Sequence, residues 1–210
     1  MSDPRDAASA NLTRKGRATQ TRIVEVAAAL MFERGVAETS TLDVQKAAGI
    51  SASQLYHYFS DKKALVHAVV THQTEAVIAA QSSMLAQLDS IEGLEAWRDA
   101  VVEMQQRERC QGGCPIGTLS SELADIDPDA RAMLAAGFSR WEDAIRRGLR
   151  AMQERGELNP DADVESLALA TLAAVQGGLL LTQARRDTIA LNTVLTAIID
   201  RIRCETSQPG

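Results

Sequence analysis

The stretch AGISASQLYHYFSDKKAL, residues 48–65, decides the fold. Only 3% of the chain is aromatic, yet its only two tyrosines, Tyr56 and Tyr58, stand here two residues apart, with Phe59 directly behind. The three histidines, His57, His67 and His72, fall in the stretch or just after it. Gly49 ends a short helix, LDVQKAA, for which Thr41 is a suitable N-cap. Ser51 then opens the next helix. Gln54 lies three residues on, which is the spacing of a capping box, and Ile50 and Leu55 match a hydrophobic staple. Two short helices joined through Gly49-Ile50-Ser51 are the sequence form of a helix-turn-helix.

Within the second of these helices Leu55 and Phe59 are four apart and face inward together. That leaves Ser53, Gln54, Tyr56, His57 and Tyr58 on the remaining faces. Such hydrogen-bonding side chains suit a helix that enters the DNA major groove with its first turns toward base edges. The other reading of the tyrosines is packing against the flanking helices, and both roles are compatible. Ser60 as N-cap places Asp61, Lys62 and Lys63 in the first turn of a fourth helix, where cations oppose the helix dipole. The cost is explained if that helix end and Lys62 hold a phosphate together, or the lysines are simply solvated. Arg14, Lys15 and Arg17 form a basic arm ahead of a first helix over Thr19–Arg34. That helix has the apolar stripe Ile23, Val26, Ala27, Leu30 and Met31 and stops at Gly35. The arm reaches phosphates or the minor groove, or serves as a soluble tail.

TLDVQKAAGISASQLYHYFSDKKAL closely resembles the DNA-binding signature of TetR-type repressors, over roughly residues 19–70. The shared features are the threonine before helix two, Ala-Gly-Ile-Ser at the turn, Leu-Tyr-His-Tyr-Phe in the recognition helix and lysine at the start of helix four. Val44-Gln45-Lys46 departs from the pattern, and Lys46 either adds a DNA contact or is merely exposed. The resemblance implies DNA contacts from Thr41, Ser53, Gln54, Tyr56, His57 and Lys62, with Ser51 kept as a cap. It divides the chain into a flexible tail at 1–12, a helix-turn-helix domain at 13–63, and a ligand-binding and dimerisation domain at 64–210.

Charge follows the same division. Residues 13–63 carry eight basic and five acidic groups, residues 64–210 thirteen and twenty-one, within a net charge of −6. A basic quarter on an acidic body suggests a local anionic partner. The 210 residues are 45% hydrophobic, with five prolines and much alanine and leucine, so the chain reads as all-α with about nine helices and a real core. Three cysteines are too few for a secreted disulfide scaffold. The opening MSDPRDAASANL has no apolar signal core. LALATLAAVQGGLLL at 167–181 is shorter than a bilayer span. A soluble cytoplasmic protein without a membrane partner is expected.

Beyond the signature, the fourth helix runs to Leu88 and another spans Glu92–Arg109, with Leu94, Trp97, Val101 and Met104 at helical spacing. CQGGCPIG at 110–117 breaks it, and SSELAD forms a short helix. Asp127 and Pro128 open a long helix to Arg155, roughly 40 Å in length. Leu134, Phe138, Trp141, Ile145, Leu149 and Met152 line one of its faces. Two more helices occupy about 161–185 and 188–204. Their residues Leu172, Leu179, Val194, Leu195, Ile198 and Ile202 form either half of a four-helix homodimer interface or the core of the protomer. In TetR-type proteins the last two helices pair across a two-fold axis.

The resemblance also implies a small effector among the middle helices, with Trp97, Met104, Phe138, Trp141 and Gln176 lining its pocket or serving as ordinary core. CQGGCPIG is similar to a segment of a TetR-type subgroup that includes drug- and flavonoid-responsive repressors. Cys110 and Cys114 invite a redox reading, whereas with Cys204 distant and no histidine near the pair they do not make four zinc ligands. No cofactor is expected, and no phosphate loop, HExxH or nucleophile elbow suggests an enzyme. The expected function is a ligand-responsive dimeric repressor on a two-fold double-stranded DNA operator. The alternatives are redox sensing through Cys110 and Cys114, or an adaptor that keeps the helix-turn-helix for protein contacts.

Overall fold

The computed structural model describes residues 13–206, so the tail expected at 1–12 lies outside the described residues. Among the described residues there are nine α-helices and no strand beyond one isolated bridge between Leu158 and Thr206. They are α1 (Arg14–Arg34), α2 (Thr41–Ala48), α3 (Ala52–Tyr58), α4 (Lys62–Leu85), α5 (Ile91–Arg107), α6 (Pro115–Leu123), α7 (Pro128–Glu154), α8 (Val164–Arg185) and α9 (Ile189–Arg203). The chain divides into two compact units between Gln73 and Thr74, within α4.

In the first unit, local capping chemistry sets the helix ends. Thr13 caps α1 by accepting from the Gly16 amide, so Arg14, Lys15 and Arg17 belong to the first turn of the helix rather than to an arm before it. Its buried stripe is Ile23, Val24, Ala27, Ala28 and Met31, while Val26 and Leu30 are only half-buried. Ser40, not Thr41, caps α2. The Ser40 hydroxyl accepts from the Asp43 amide at 3.2 Å and the Asp43 carboxylate accepts from the Ser40 amide at 3.0 Å. Three residues beyond Thr41 stands Val44, which has no group to return that bond, so the reciprocal box closes on Ser40. The Ser40 hydroxyl and then its amide hold the Asp43 carboxyl below its ordinary value.

The box at α3 forms as expected, with Ser51 accepting from the Gln54 amide and Gln54 Oε1 accepting from the Ser51 amide at 3.0 Å. Leu55 and Phe59 are buried together beneath it. At α4 the cap is Asp61 rather than Ser60, through its carboxylate to the Ala64 amide at 2.7 Å. A carboxylate complements the positive helix end better than a hydroxyl does.

In the second unit the buried face of α5 is Leu94, Trp97, Val101 and Gln105, while Met104 stands 37% exposed. A 3.6-residue period carried from Leu94 through three turns lands nearer position 105 than 104. The short helix α6 starts at Pro115, earlier than the expected SSELAD, because proline at the first helical position gives up no intrahelical bond. The turn before it holds two successive non-glycine residues in the left-handed region, Arg109 (φ 54) and Cys110 (φ 55). Arg186 steadies it by donating to the Cys110 carbonyl at 3.0 Å.

Asp127 and Pro128 open α7 as expected. Trp141 and the other large apolar residues of its predicted face are buried, with Phe138 half-buried at the margin. α8 packs between α7 and α9. Gly178 lets α9 approach, since a Cβ there would lie 2.7 Å from Leu191 Cδ1, whereas Gly177 faces open space. At 22 residues α8 is long and apolar enough, by length and composition, to cross a membrane, which the shorter count over 167–181 missed. Its apolarity has another cause: one side packs in the protomer, and the other is an exposed stripe of Leu169, Ala173, Gly177, Leu180 and Leu181.

Candidate nucleic-acid interface

α3 presents one continuous polar face. Ser53, Gln54, Tyr56 and His57 are all exposed, and Tyr56 keeps 52% of its surface in solvent. Tyr58 is half-buried, with its ring edge-on to His57 at 4.9 Å between centroids. Leu55 and Phe59 anchor the opposite face, which fixes the direction in which the exposed side chains point. Gln54 is partly committed, because Oε1 belongs to the cap and the amide nitrogen remains its outward donor. Arg14, Lys15 and Arg17 are exposed on the first turns of α1, Lys46 is exposed on α2, and Thr41 is half-buried at the first position of α2.

Lys62, expected to hold a phosphate, is also bonded within its own unit. Its ammonium donates to the Val36 carbonyl at 2.8 Å and to the Ala37 carbonyl at 3.4 Å, tying the start of α4 to the loop after α1. Charge-assisted bonds of this kind are stronger than neutral ones. Lys62→Met is therefore expected to lower the unfolding free energy of this unit by about 1–2 kcal/mol. Chemical denaturation checks this, and an unchanged midpoint would count against the strut. A second strut has no local signal in the sequence: Arg22 donates to the Ala48 carbonyl at 2.7 Å, placing a cation at the C-terminal end of α2 just before the Gly49 turn. Between them, Arg22 and Lys62 hold the pieces that aim α3.

Residues 23–69 match the tetR family of bacterial regulatory proteins, and residues 90–198 match the tetracyclin repressor-like C-terminal domain. The chain belongs to the TetR family. A helix-turn-helix-type transcriptional regulator of Mycobacterium tuberculosis is 30% identical over 182 residues, 82% of this chain and 88% of the relative. The transcriptional repressor DhaR of a Mycobacterium species is 25% identical, over 86% of this chain and 90% of its own length. Among solved structures, a TetR transcriptional regulator from Chloroflexus aurantiacus superposes with a TM-score of 0.78 at 26% identity, covering 92% of this chain and 98% of its own. This TetR-family protein is thus a transcriptional regulator rather than an enzyme, with an N-terminal helix-turn-helix and a C-terminal helical unit.

In that C-terminal unit the residues expected at a pocket separate into two kinds. Trp97 is 1% exposed and its indole N–H is already satisfied by Gln81 Oε1 at 3.0 Å, and Met104 points to solvent. Trp141 Nε1 instead is buried with no hydrogen-bond partner, and the buried Nε2 of Gln176 has none among oxygens and nitrogens, its side chain meeting the weakly accepting Cys114 sulfur. Gln105 and Thr182, passed over in the sequence, likewise lack a partner at Oε1 and Oγ1. The only sequence signal for Gln105 was a polar residue on the extrapolated apolar stripe of α5. Cys110 and Cys114 are buried thiols, and burial pushes the Cys114 thiol up from its ordinary value, which keeps thiolate scarce.

Of the residues read as a dimer interface, Leu172, Leu179, Leu195 and Ile202 are buried within the protomer, while Val194 and Ile198 are half-buried. On the last two helices the large apolar residues left exposed are Leu169, Leu180 and Leu181 of α8 and Ile189, 68% exposed at the start of α9.

Proposed function

We propose that this TetR-family regulator is a cytoplasmic homodimeric repressor. It grips a two-fold-related double-stranded DNA operator through α3 of each protomer and lets go when a small effector binds in the C-terminal unit. The observation that carries the DNA reading is the α3 face: Ser53, Gln54, Tyr56 and His57 are exposed on a helix doubly capped at its start and anchored by buried Leu55 and Phe59. Exposed Arg14, Lys15, Arg17 and Lys46 supply cations for phosphates. Dimerisation is supported by the exposed α8 stripe, where Gly177 leaves room for a second helix. The repressor assignment follows the related protein that bears that description, DhaR.

The test is footprinting on the DNA flanking its own gene over a salt series. A two-fold-related protected site is expected, with affinity falling log-linearly as salt rises. Weak binding with no protected site would refute the operator reading. Tyr56→Ala should weaken operator binding by about 10- to 100-fold, the scale of one good base or phosphate contact, with its melting curve unchanged. Parental affinity in this variant would remove Tyr56 from the interface.

A further inference from the structure

The buried polar side chains of the C-terminal unit, among the described residues, are Thr74, Gln81, Gln105, Thr171 and Thr182, and none of them ionises. Two are satisfied: Gln81 by Trp97, and Thr171 by donating to the Leu167 carbonyl at 2.7 Å. The other three each leave an oxygen without a partner, the buried Trp141 Nε1 also has none, and the buried Gln176 Nε2 finds no oxygen or nitrogen, its side chain meeting the weakly accepting Cys114 sulfur. Folded proteins pair nearly all such groups, so this concentration within one helical unit asks for an explanation. Three of the five lie on elements that meet at the strained α5–α6 turn. The Gln105 carbonyl accepts from the Cys110 amide at 2.7 Å. A Cβ on Gly117 would lie 3.1 Å from Gln176 Oε1, and one on Gly113 would lie 2.8 Å from the side chain of Gln183, the neighbour of Thr182. Backbone strain of this kind collects at ligand-responsive sites.

We propose that the effector is an uncharged molecule with hydrogen-bonding groups, recognised by Gln105, Trp141, Gln176 and Thr182. This rests on the reading above that the C-terminal unit binds an effector. The buried polar atoms of these residues supply both donors, from Trp141 and Gln176, and an acceptor, from Gln105, with the Thr182 hydroxyl able to act as either. That set matches an amide, a hydroxyl or a carbonyl. A carboxylate or ammonium ion would enter an interior without a counter-charge. The partly buried guanidiniums are already engaged, Arg98 with Asp99 and Arg146 with Glu142, Asp143 and Glu165. The buried Cys114 thiol, pushed up by desolvation, adds no charge either. A charged recess of this unit lies elsewhere, in an open groove of about 490 Å³ between α4 and α7 bordered by Asp89, Arg140, Asp143 and Arg147.

The experiment uses the full chain and matched sets of primary amide, alcohol, carboxylate and amine on butyl, phenyl and naphthyl frames. Binding is followed by calorimetry and thermal shift. At least one frame is expected to bind as its amide or alcohol at least tenfold more tightly than as its acid or amine. Gln176→Leu and Thr182→Val should each weaken that binding at least tenfold. They should also melt no lower than the parent, with Thr182→Val about 2–4 °C higher, because Thr182 loses an unpaired hydroxyl and Gln176 only a weak bond to sulfur. The proposal is overturned if the acid or amine binds best, if no neutral probe binds, or if the variants bind like the parent. An acid whose binding disappears in Arg147→Gln would place recognition in the α4–α7 groove, also against it. A neutral probe that binds but leaves DNA affinity unchanged would refute effector-driven release and leave the recognition chemistry standing.

Discussion

Leu180→Glu should lower operator affinity by about 10²- to 10⁴-fold while leaving each protomer folded. Leu180 is 66% exposed near the C-terminal end of the stripe formed with Leu169, Ala173, Gly177 and Leu181, so the protomer loses no core contact when it is replaced. A second copy meeting this stripe would have to bury the new carboxylate without a partner, which costs several kcal/mol. Each protomer would then hold DNA through one α3 alone, and the gain from joining two half-sites would be lost. Sedimentation should show a monomer with unaltered helical content, and anisotropy should show residual non-specific binding. A variant that remains a dimer would move the interface away from α8. Leu180→Ala, which removes area without adding charge, should give a much smaller loss.

Trp97→Ala should destabilise the C-terminal unit by about 3–5 kcal/mol, the usual cost of emptying a large aromatic site. Trp97 is 1% exposed among Leu94 and Val101 on the buried face of α5, and its indole donates to Gln81, itself 6% exposed. Removing the ring leaves a cavity and strands the Gln81 oxygen. Against a typical total stability of about 5–15 kcal/mol, such a loss would leave much of the protein unfolded at moderate temperature. Trp97→Phe keeps most of the volume and loses the hydrogen bond, so it should cost roughly 1–3 kcal/mol. Denaturant unfolding of the two variants separates the packing from the polar contribution. A loss below about 1 kcal/mol for Trp97→Ala would show that the site collapses or was never well packed. The same contact leaves the Trp97 donor engaged, whereas Trp141 Nε1 has no partner.

Local features were legible where the chemistry acts within four residues. The Ser51–Gln54 box, the glycine stop at Gly49, and Asp127 with Pro128 all read correctly because caps and their partners are near neighbours in the chain. The misreadings were of two sorts. Some were contests between adjacent candidates, as when Ser40 prevailed over Thr41 and Asp61 over Ser60 because the better acceptor or the reciprocal partner decided the cap. Others were one-residue errors of phase, as when Gln105 took the buried place expected for Met104.

The sequence by itself determined the helical class, the helix-turn-helix with its polar face, and the resemblance to the TetR family, because periodicity and capping are carried by neighbouring residues. Only the tertiary structure decided that Lys62 spans 26 residues to the Val36 carbonyl and that Arg22 closes the end of α2. It also decided that Leu172, Leu179, Leu195 and Ile202 are protomer core while Leu169 and Leu180 remain outside. The α8 segment is apolar around most of its circumference, so no pattern along the chain distinguishes the side that meets α7 and α9 from the side left exposed. That choice is made by how the helices pack, through close approaches such as Gly178 against Leu191, and the unpaired donors and acceptors of the C-terminal unit become visible only when that packing is complete.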